Sequence, residues 1–409
     1  MNPPPFSEAL RFWLTLGFIS FGGPAGQIAI MQTELVDRRR WIEQDAFLRA
    51  LNFCMLLPGP EAQQLATYIG WKLHGLKGAL TAGLLFVLPG ALILFALAWI
   101  AAVHGDATIV AAIFTGLKPV VVALVAHAVL RIGSRTLHDT QGVLLAIGAF
   151  VALEFTPVPF PLVILAAGLV GWWRAPAAKA LPETAPSTDR IWPRLLRLAG
   201  VYVVLLAVPA VLLITFAETD PFVRLGGFLT QNAFFTFGGA YAILPYVADA
   251  AVNRFAWISP AEMINGLALA ETTPGPLILV LQYVGFFAGW NVRMSLADAA
   301  LGAAVATYAT FLPSIMLILA GAPYIDRIAR IRRAAGALKA ITAAVVGVIL
   351  TLAAFLGQQV VFLESGKIDL VAIAAIVVAF IALARFKIPL HAVVLAGAVF
   401  GLARAYLDF

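Results

Sequence analysis

Residues 79–102 read ALTAGLLFVLPGALILFALAWIAA, without one charged side chain. A helix needs roughly 20 such residues to cross the hydrocarbon core of a bilayer. Working outward, residues 109–130, 198–217, 296–320 and 341–363 form further long apolar blocks almost free of charge. The chain of 409 residues is 62% hydrophobic and only 12% charged, with a mean hydropathy of +0.95. Soluble globular domains carry about 25% charged residues, so the chain falls outside that class. A membrane β-barrel would alternate apolar and polar residues, which these blocks do not. The expected fold class is all-α: a polytopic transmembrane helical protein whose first partner is the lipid bilayer.

The formal charge of +6 reads as lysine and arginine gathered in cytoplasmic loops rather than as a nucleic-acid surface. A single cysteine, Cys54, excludes an internal disulfide or a cysteine-built metal site. The start MNPPPFSEALRFW lacks the pattern of a removable signal peptide. His74, His104, His127, His138 and His391 form no close-spaced ligand pair, and neither HExxH nor a phosphate-binding Gly-x-x-x-x-Gly-Lys-Ser/Thr loop occurs. No metal, no cofactor and no enzymatic chemistry are expected, and any pumping would draw on an ion gradient or the membrane potential.

Two halves share their punctuation. Phe21-Gly22-Gly23 returns as Phe237-Gly238-Gly239, Trp41-Ile42 as Trp257-Ile258, and Pro58-Gly59-Pro60 as Pro274-Gly275-Pro276, all 216 positions later. Leu88-Pro89 against Leu312-Pro313, Leu117-Lys118 against Leu338-Lys339 and Pro161-Leu162 against Pro389-Leu390 continue the match with small length changes. Self-similarity at one fixed offset marks an internal repeat. The expected organisation is a first repeat at 1–173, a cytoplasmic linker at 174–197 rich in alanine, proline and charge, an extra connecting helix at 198–217, and a second repeat at 218–409. One unpaired helix between two even-numbered repeats turns the second upside down. The charges agree: Arg38, Arg39 and Arg40 face a second-half loop holding only Arg254. The turn around His104 and Asp106 has no lysine or arginine, while its counterpart carries Arg327, Arg330, Arg332 and Arg333. Loops basic in one half and poor in the other are what inverted repeats require under the positive-inside rule.

Each half also holds two apolar segments that are broken. They break at Gly22-Gly23-Pro24 and Pro58-Gly59-Pro60 in the first half, and at Gly238-Gly239 and Pro274-Gly275-Pro276 in the second. Proline removes a donor and kinks a helix, and glycine adopts conformations closed to other residues. Backbone freed in hydrocarbon survives only where protein or a wet cavity receives it. Interrupted segments at matching places in two halves point to a transporter's binding site, and half-helix N-termini aimed inward suit an anion. Re-entrant hairpins and bent spanning helices both fit the breaks; hairpins put Arg38–Arg40, Lys72 and Lys77 on one side.

Polar residues gather at these places: Gly26 and Gln27 after the first break, Glu61, Gln63, Gln64 and Thr67 after the second, and Glu271, Thr272 and Thr273 before Pro274. Glu61 and Glu271 are expensive at membrane depth. Each could carry a coupling proton, orient an arginine, or lie at a wet boundary. Lys118 lies within an apolar run and is the expected intramembrane cation for a bound anion, ahead of Lys339 near a helix end. Arg38, Arg39 and Arg40 anchor topology and can gather anions at an entrance.

At these residues the sequence resembles the chromate transporter family in its long, two-domain form. The resemblance rests on Phe21 to Gln27, on Glu34 to Trp41-Ile42, on Asn52 to Gln64, on Thr236 to Tyr241, and on Thr272 to Pro276. Ala240 stands where the first half has Pro24, so the two breaks differ. The resemblance implies efflux of chromate across a bacterial-type inner membrane, chromate resistance, and competition or exchange with sulfate. It places the dianion between the facing glycine-pair and Pro-Gly-Pro breaks, with the repeats rocking around it. Carriers of sulfate or another small anion, a channel, and an intramembrane enzyme are the alternatives, and the sequence allows a homodimer.

Overall fold

Residues 79–102 fall inside the second part of α4 (Glu61–His104), which is two helical stretches meeting at a non-helical kink at His74 and Gly75. The computed structural model describes every residue except 1–2, 22, 176–190, 217–220, 326–331, 363–366 and 408–409. Gly22, most of the expected linker, and Arg327 and Arg330 therefore lie outside the described residues. The first half comprises α1 (Phe6–Ile19), α2 (Gly23–Gln32), α3 (Gln44–Leu56), α4, α5 (Thr108–Thr136), α6 (Thr140–Phe155) and α7 (Phe160–Arg174). After α8 (Ile191–Phe216) come α9 (Pro221–Ala233), α10 (Ala240–Asp249), α11 (Pro260–Thr272), α12 (Val280–Arg293) and α13 (Leu296–Gly321). The chain closes with α14 (Arg332–Val361), α15 (Leu370–Ala384) and α16 (Leu390–Leu407). Among the described residues six helices are long and apolar enough to cross a membrane: α4, α5, α8, α13, α14 and α16. Bulky apolar side chains such as Leu92, Leu144, Val203 and Val378 stay exposed on their outer faces. Exposed apolar surface on this scale needs lipid. The protein is an all-α, multi-pass membrane protein.

The connecting helix was expected at 198–217. It starts earlier, at Ile191, because Arg194 reaches back to donate to the Leu319 carbonyl at 3.2 Å and fastens the first turn to α13. Further along, the Tyr308 hydroxyl of α13 donates to the Leu205 carbonyl at 2.7 Å and the Tyr202 ring meets Phe234, although no part of the most apolar stretch of α8 is buried.

All four broken segments double back. Phe53 on α3 and Tyr68 on α4 bring their rings to 6.0 Å, although a straight helix would set them about 22 Å apart. In the second half the ring of Tyr283 on α12 covers the Cα of Gly266 on α11. Asn291, at the end of α12, donates to the Trp257 carbonyl ahead of α11 at 3.0 Å. The glycine-pair segments do the same. The Phe12 and Trp41 rings meet at 5.3 Å, and their counterparts 216 positions on, Phe228 and Trp257, at 5.9 Å. The match reaches the backbone: α2 and α10 both run into a π-helical turn, Thr33–Arg38 and Ala250–Arg254. Trp41 donates to Leu35 and Trp257 to Ala251, both at 2.8 Å. Arms of 13 or 14 residues reach about 20 Å, short of a full crossing.

The halves exchange partners. Helices α6 and α7 pack on α14 of the second half, while α15 and α16 pack on α5 of the first. Glycines make these contacts close. A side chain at Gly347 on α14 would strike the Ala146 carbonyl on α6, and one at Gly116 on α5 would strike the Gly397 carbonyl on α16. Small residues let membrane helices approach this way. Beyond its bend at His74 and Gly75, α4 runs antiparallel to α13, with Ala79 against Ile315 and Leu319. One end of the bundle gathers the bases. There Lys339 holds Asp139 at 2.7 Å and Arg333 lies over the Trp172 ring. The hydrogen bond from Lys339 keeps the Asp139 carboxyl below the usual carboxylate range. That tie is complete at neutral pH and is lost only as acid titrates below the depressed value.

Valine at Gly116 or Gly347 is expected to destabilise the detergent-solubilised protein by about 1–3 kcal/mol through overpacking, read as a lower apparent Tm. Gly148 on α6 has nothing within 4 Å of a built Cβ, and Gly148→Val is expected to leave the Tm near wild type.

Candidate functional site

The breaks exist because their glycines hold positive φ: +67° at Gly23, +128° at Gly59, +78° and +92° at Gly238 and Gly239, and +100° at Gly275. Side chains strain such backbone. The glycine amides of the two Pro-Gly-Pro breaks find their partners in the other half. The Gly59 N–H donates to the Thr236 carbonyl at 2.8 Å, and the Gly275 N–H donates to the Ser20 carbonyl at 2.8 Å. These bonds are counterparts, because Ser20 and Thr236, and Gly59 and Gly275, stand 216 positions apart. Each Pro-Gly-Pro break is therefore sewn to the residue two positions ahead of the opposite glycine pair.

Buried amides finish the junction. Gln27 donates from Nε2 to the Gly275 carbonyl at 2.7 Å and to the Ser20 carbonyl at 3.2 Å. Gln64 donates to the Pro58 carbonyl at 2.7 Å. The Ser314 hydroxyl donates to Gln63 at 2.9 Å, and Gln63 donates to Thr67 at 3.1 Å. Gln27, Gln63, Gln64 and Thr67 are fully buried. The Oε1 atoms of Gln27 and Gln64 keep no partner among the described residues. Buried polar atoms left open cluster at functional places.

Against this junction lies a cavity of about 310 Å³ lined by Gly23, Tyr241, Glu271, His127, Arg131 and Lys387. Its floor is the start of α2 and the end of α11. Its wall is α5, and its rim is the turn between α15 and α16. No side chain fills the space beyond Gly23, where a built Cβ meets nothing within 4 Å. Tyr241 donates its hydroxyl to Glu271, so the floor carboxylate already has a neutral donor. Arg131 is half-buried and Lys387 exposed at the rim. Lys387 sits in the left-handed region at φ +53°, a conformation costing a non-glycine residue about 1–2 kcal/mol. Strain kept at a cavity rim is a mark of functional sites. Two fixed cations and one imidazole against one carboxylate make the cavity suited to an anion.

Of the residues expected from sequence, the structure unites Gly23, Glu271 and the second-half glycine-pair helix at this cavity. Pro24 and Gly26 lie in the adjoining first turn of α2. Pro58, Gly59, Pro60, Gln63 and Gln64 belong to the neighbouring junction, as do Thr273, Pro274, Gly275 and Pro276. Glu61 opens α4 beside Pro60. Lys118 is not brought there. It lies thirteen residues before Arg131 on α5, about 20 Å along the helix. Arg38, Arg39 and Arg40 cap the first hairpin, where Arg39 spans Glu8, Glu34 and the Phe12 and Trp41 rings. Sequence reasoning missed Arg131, His127, Lys387 and Tyr241 as a set. Arg131 directly follows the apolar block ending at 130, and Lys387 lies in the turn between α15 and α16. The packing of α15 and α16 on α5 brings these two together.

The chain matches the chromate transporter family over two segments, residues 7–172 and 223–402. It is 32% identical to the chromate transport protein of Pseudomonas aeruginosa over 357 residues, 85% of this chain and 80% of that one. It is 26% identical to the chromate transport protein of Cupriavidus metallidurans over 406 residues, 96% and 91% of the two chains. The uncharacterized transporter YwrB of Bacillus subtilis is 30% identical over 168 residues, which is 40% of this chain but 85% of YwrB. No solved structure matches.

Gln27→Leu leaves the Gly275 and Ser20 carbonyls short of a buried donor, a loss of about 1–3 kcal/mol. The expected outcome is a lower Tm with membrane insertion preserved, checked by thermal unfolding in detergent.

Proposed function

The chain belongs to the chromate transporter family, and from that premise we propose that it exports chromate, or a similarly built oxyanion such as sulfate, through the cationic cavity. The observation that carries this reading is the convergence of Arg131, Lys387 and His127 on Gly23 and the sewn breaks. Guanidinium and ammonium donors suit a tetrahedral dianion, and the start of α2 adds a positive dipole end. Glu271, held by Tyr241, keeps the empty cavity from being over-charged. Protonating it would make room for two negative charges.

Direction follows from sidedness. The end carrying Lys339, Arg333 and Lys387 is the cytoplasmic one under the positive-inside rule, so the cavity loads from the cytoplasm. An interior-negative potential favours outward movement of a dianion by roughly 4–5 kcal/mol per 100 mV, and export then needs no nucleotide. In this reading repeats 1–173 and 218–409 are inverted across the inner membrane and rock around the junction, giving chromate resistance. The protein acts as a carrier, and a homodimer is compatible with it but not required.

The test is chromate uptake into everted vesicles under an imposed potential, with and without excess sulfate. Arg131→Gln and Lys387→Gly each remove a charge-assisted bond of about 1.5–3 kcal/mol, and the glycine also relaxes the Lys387 backbone. Each is expected to cut uptake at sub-saturating chromate by about tenfold or more. Wild-type uptake by both variants would overturn the site. Uptake of sulfate without any uptake of chromate would point instead to a sulfate carrier.

A further inference from the structure

A second cavity, of about 430 Å³, opens on the opposite face of the bundle. Its wall and rim are the repeat counterparts of the first cavity's, while the rest of its lining comes from Pro245 to Arg254 and not from Gly239, the counterpart of Gly23. The wall is α14 instead of α5, the rim is the turn between α6 and α7 instead of that between α15 and α16, and α10 with its π-helical turn lies alongside. Taking Lys118 onto Lys339 sets Leu352 where α5 has Arg131. Taking Pro161 onto Pro389 sets Pro159 where the first rim has Lys387. Leu352 and Pro159 both line the second cavity. Each position that makes the first cavity basic is thus uncharged in the second. The charges there are Glu154 and Asp249, with Arg254 as the one cation in the lining. Asp249 accepts from Asn253 at 2.7 Å, and Arg254 lies over the Phe255 ring at 4.9 Å.

We propose that this second cavity is the release vestibule of the same oxyanion path, with Glu154 and Asp249 as the residues that weaken anion binding on that side. The proposal rests on the anion reading of the first cavity. An elongated path with counterpart cavities at its two ends suits a carrier that exposes one junction alternately. Charge then separates the two faces. A dianion meets bases on entry and carboxylates on exit, so its local concentration is raised at one mouth and lowered at the other. Fixed charges do not alter the equilibrium between the two compartments. They raise the half-saturation concentration on the release side, so the anion leaves and does not block the returning carrier.

The experiment reconstitutes the full chain in one orientation and measures sulfate exchange from each side. For Glu154→Gln combined with Asp249→Asn, half-saturation from the acidic side is expected to fall at least threefold. Half-saturation from the basic side should move less, and high salt should shrink the difference. A second measurement uses Thr351→Cys, a cavity-lining position; the native Cys54 is buried. A membrane-impermeant thiol reagent added from the acidic side is expected to remove most of that variant's own exchange, with sulfate slowing the loss. Unchanged half-saturation together with exchange that survives labelling would overturn the vestibule. If Arg131→Gln still stops exchange in that case, the first cavity stands and only the second falls. Absence of sulfate and chromate movement in the wild type would take down both.

Discussion

Two backbone hydrogen bonds hold the middle of this protein together: Gly59 to Thr236 and Gly275 to Ser20. In hydrocarbon a peptide group without a partner costs several kcal/mol, so a helix cannot stop halfway unless something receives its loose ends. Here each stop is received by the opposite half. Neither half satisfies its own Pro-Gly-Pro amide, and the close seat of Gly59 against Gln64 and Ser314 leaves little room for a side chain. The broken segments double back because their outer ends are pinned as well, by the paired rings of Phe12 with Trp41 and Phe228 with Trp257.

From that junction the rest is placed. Because α15 and α16 lie on α5, the turn carrying Lys387 hangs over the first break. Because α6 and α7 lie on α14, the corresponding turn hangs over the other face. The exchange gives both halves a share in each cavity, so chemistry and packing are coupled across the repeat. Divergence between the copies then sets charge: Arg131 against Leu352, Lys387 against Pro159, Gln27 against Ile243. A symmetric backbone carries an asymmetric lining.

Much of this was legible before any coordinates. The apolar blocks identified the helices, and the 216-residue offset located the four breaks and even the matching tryptophans. Five of the six glycines at positive φ among the described residues belong to the quoted motifs, Gly75 being the other. What sequence could not show is long-range pairing. Nothing local in Arg131 distinguishes a cavity lysine or arginine from one marking a membrane boundary, and Lys118 looked the better intramembrane cation because it sits deeper in its block. The start of α8 was read too late because Trp192, Arg194 and Arg197 interrupt its hydropathy, while the bond from Arg194 to Leu319 that fastens the turn is tertiary. Hairpins and bent crossings both fit the breaks in sequence, with the charge pattern favouring hairpins, and the contact of Phe53 with Tyr68 is a tertiary fact that decides between them.

The central claim is that the sewn breaks present a basic cavity to a dianion. Chromium's own anomalous scattering tests it most directly, in crystals of the wild-type protein grown with chromate and measured on both sides of the metal's absorption edge. A single strong chromium peak is expected beside the Arg131 guanidinium and the backbone at Gly23, with the oxygens of the bound chromate within hydrogen-bonding reach of both. A peak seated elsewhere in the bundle, with that cavity occupied only by solvent, would contradict it.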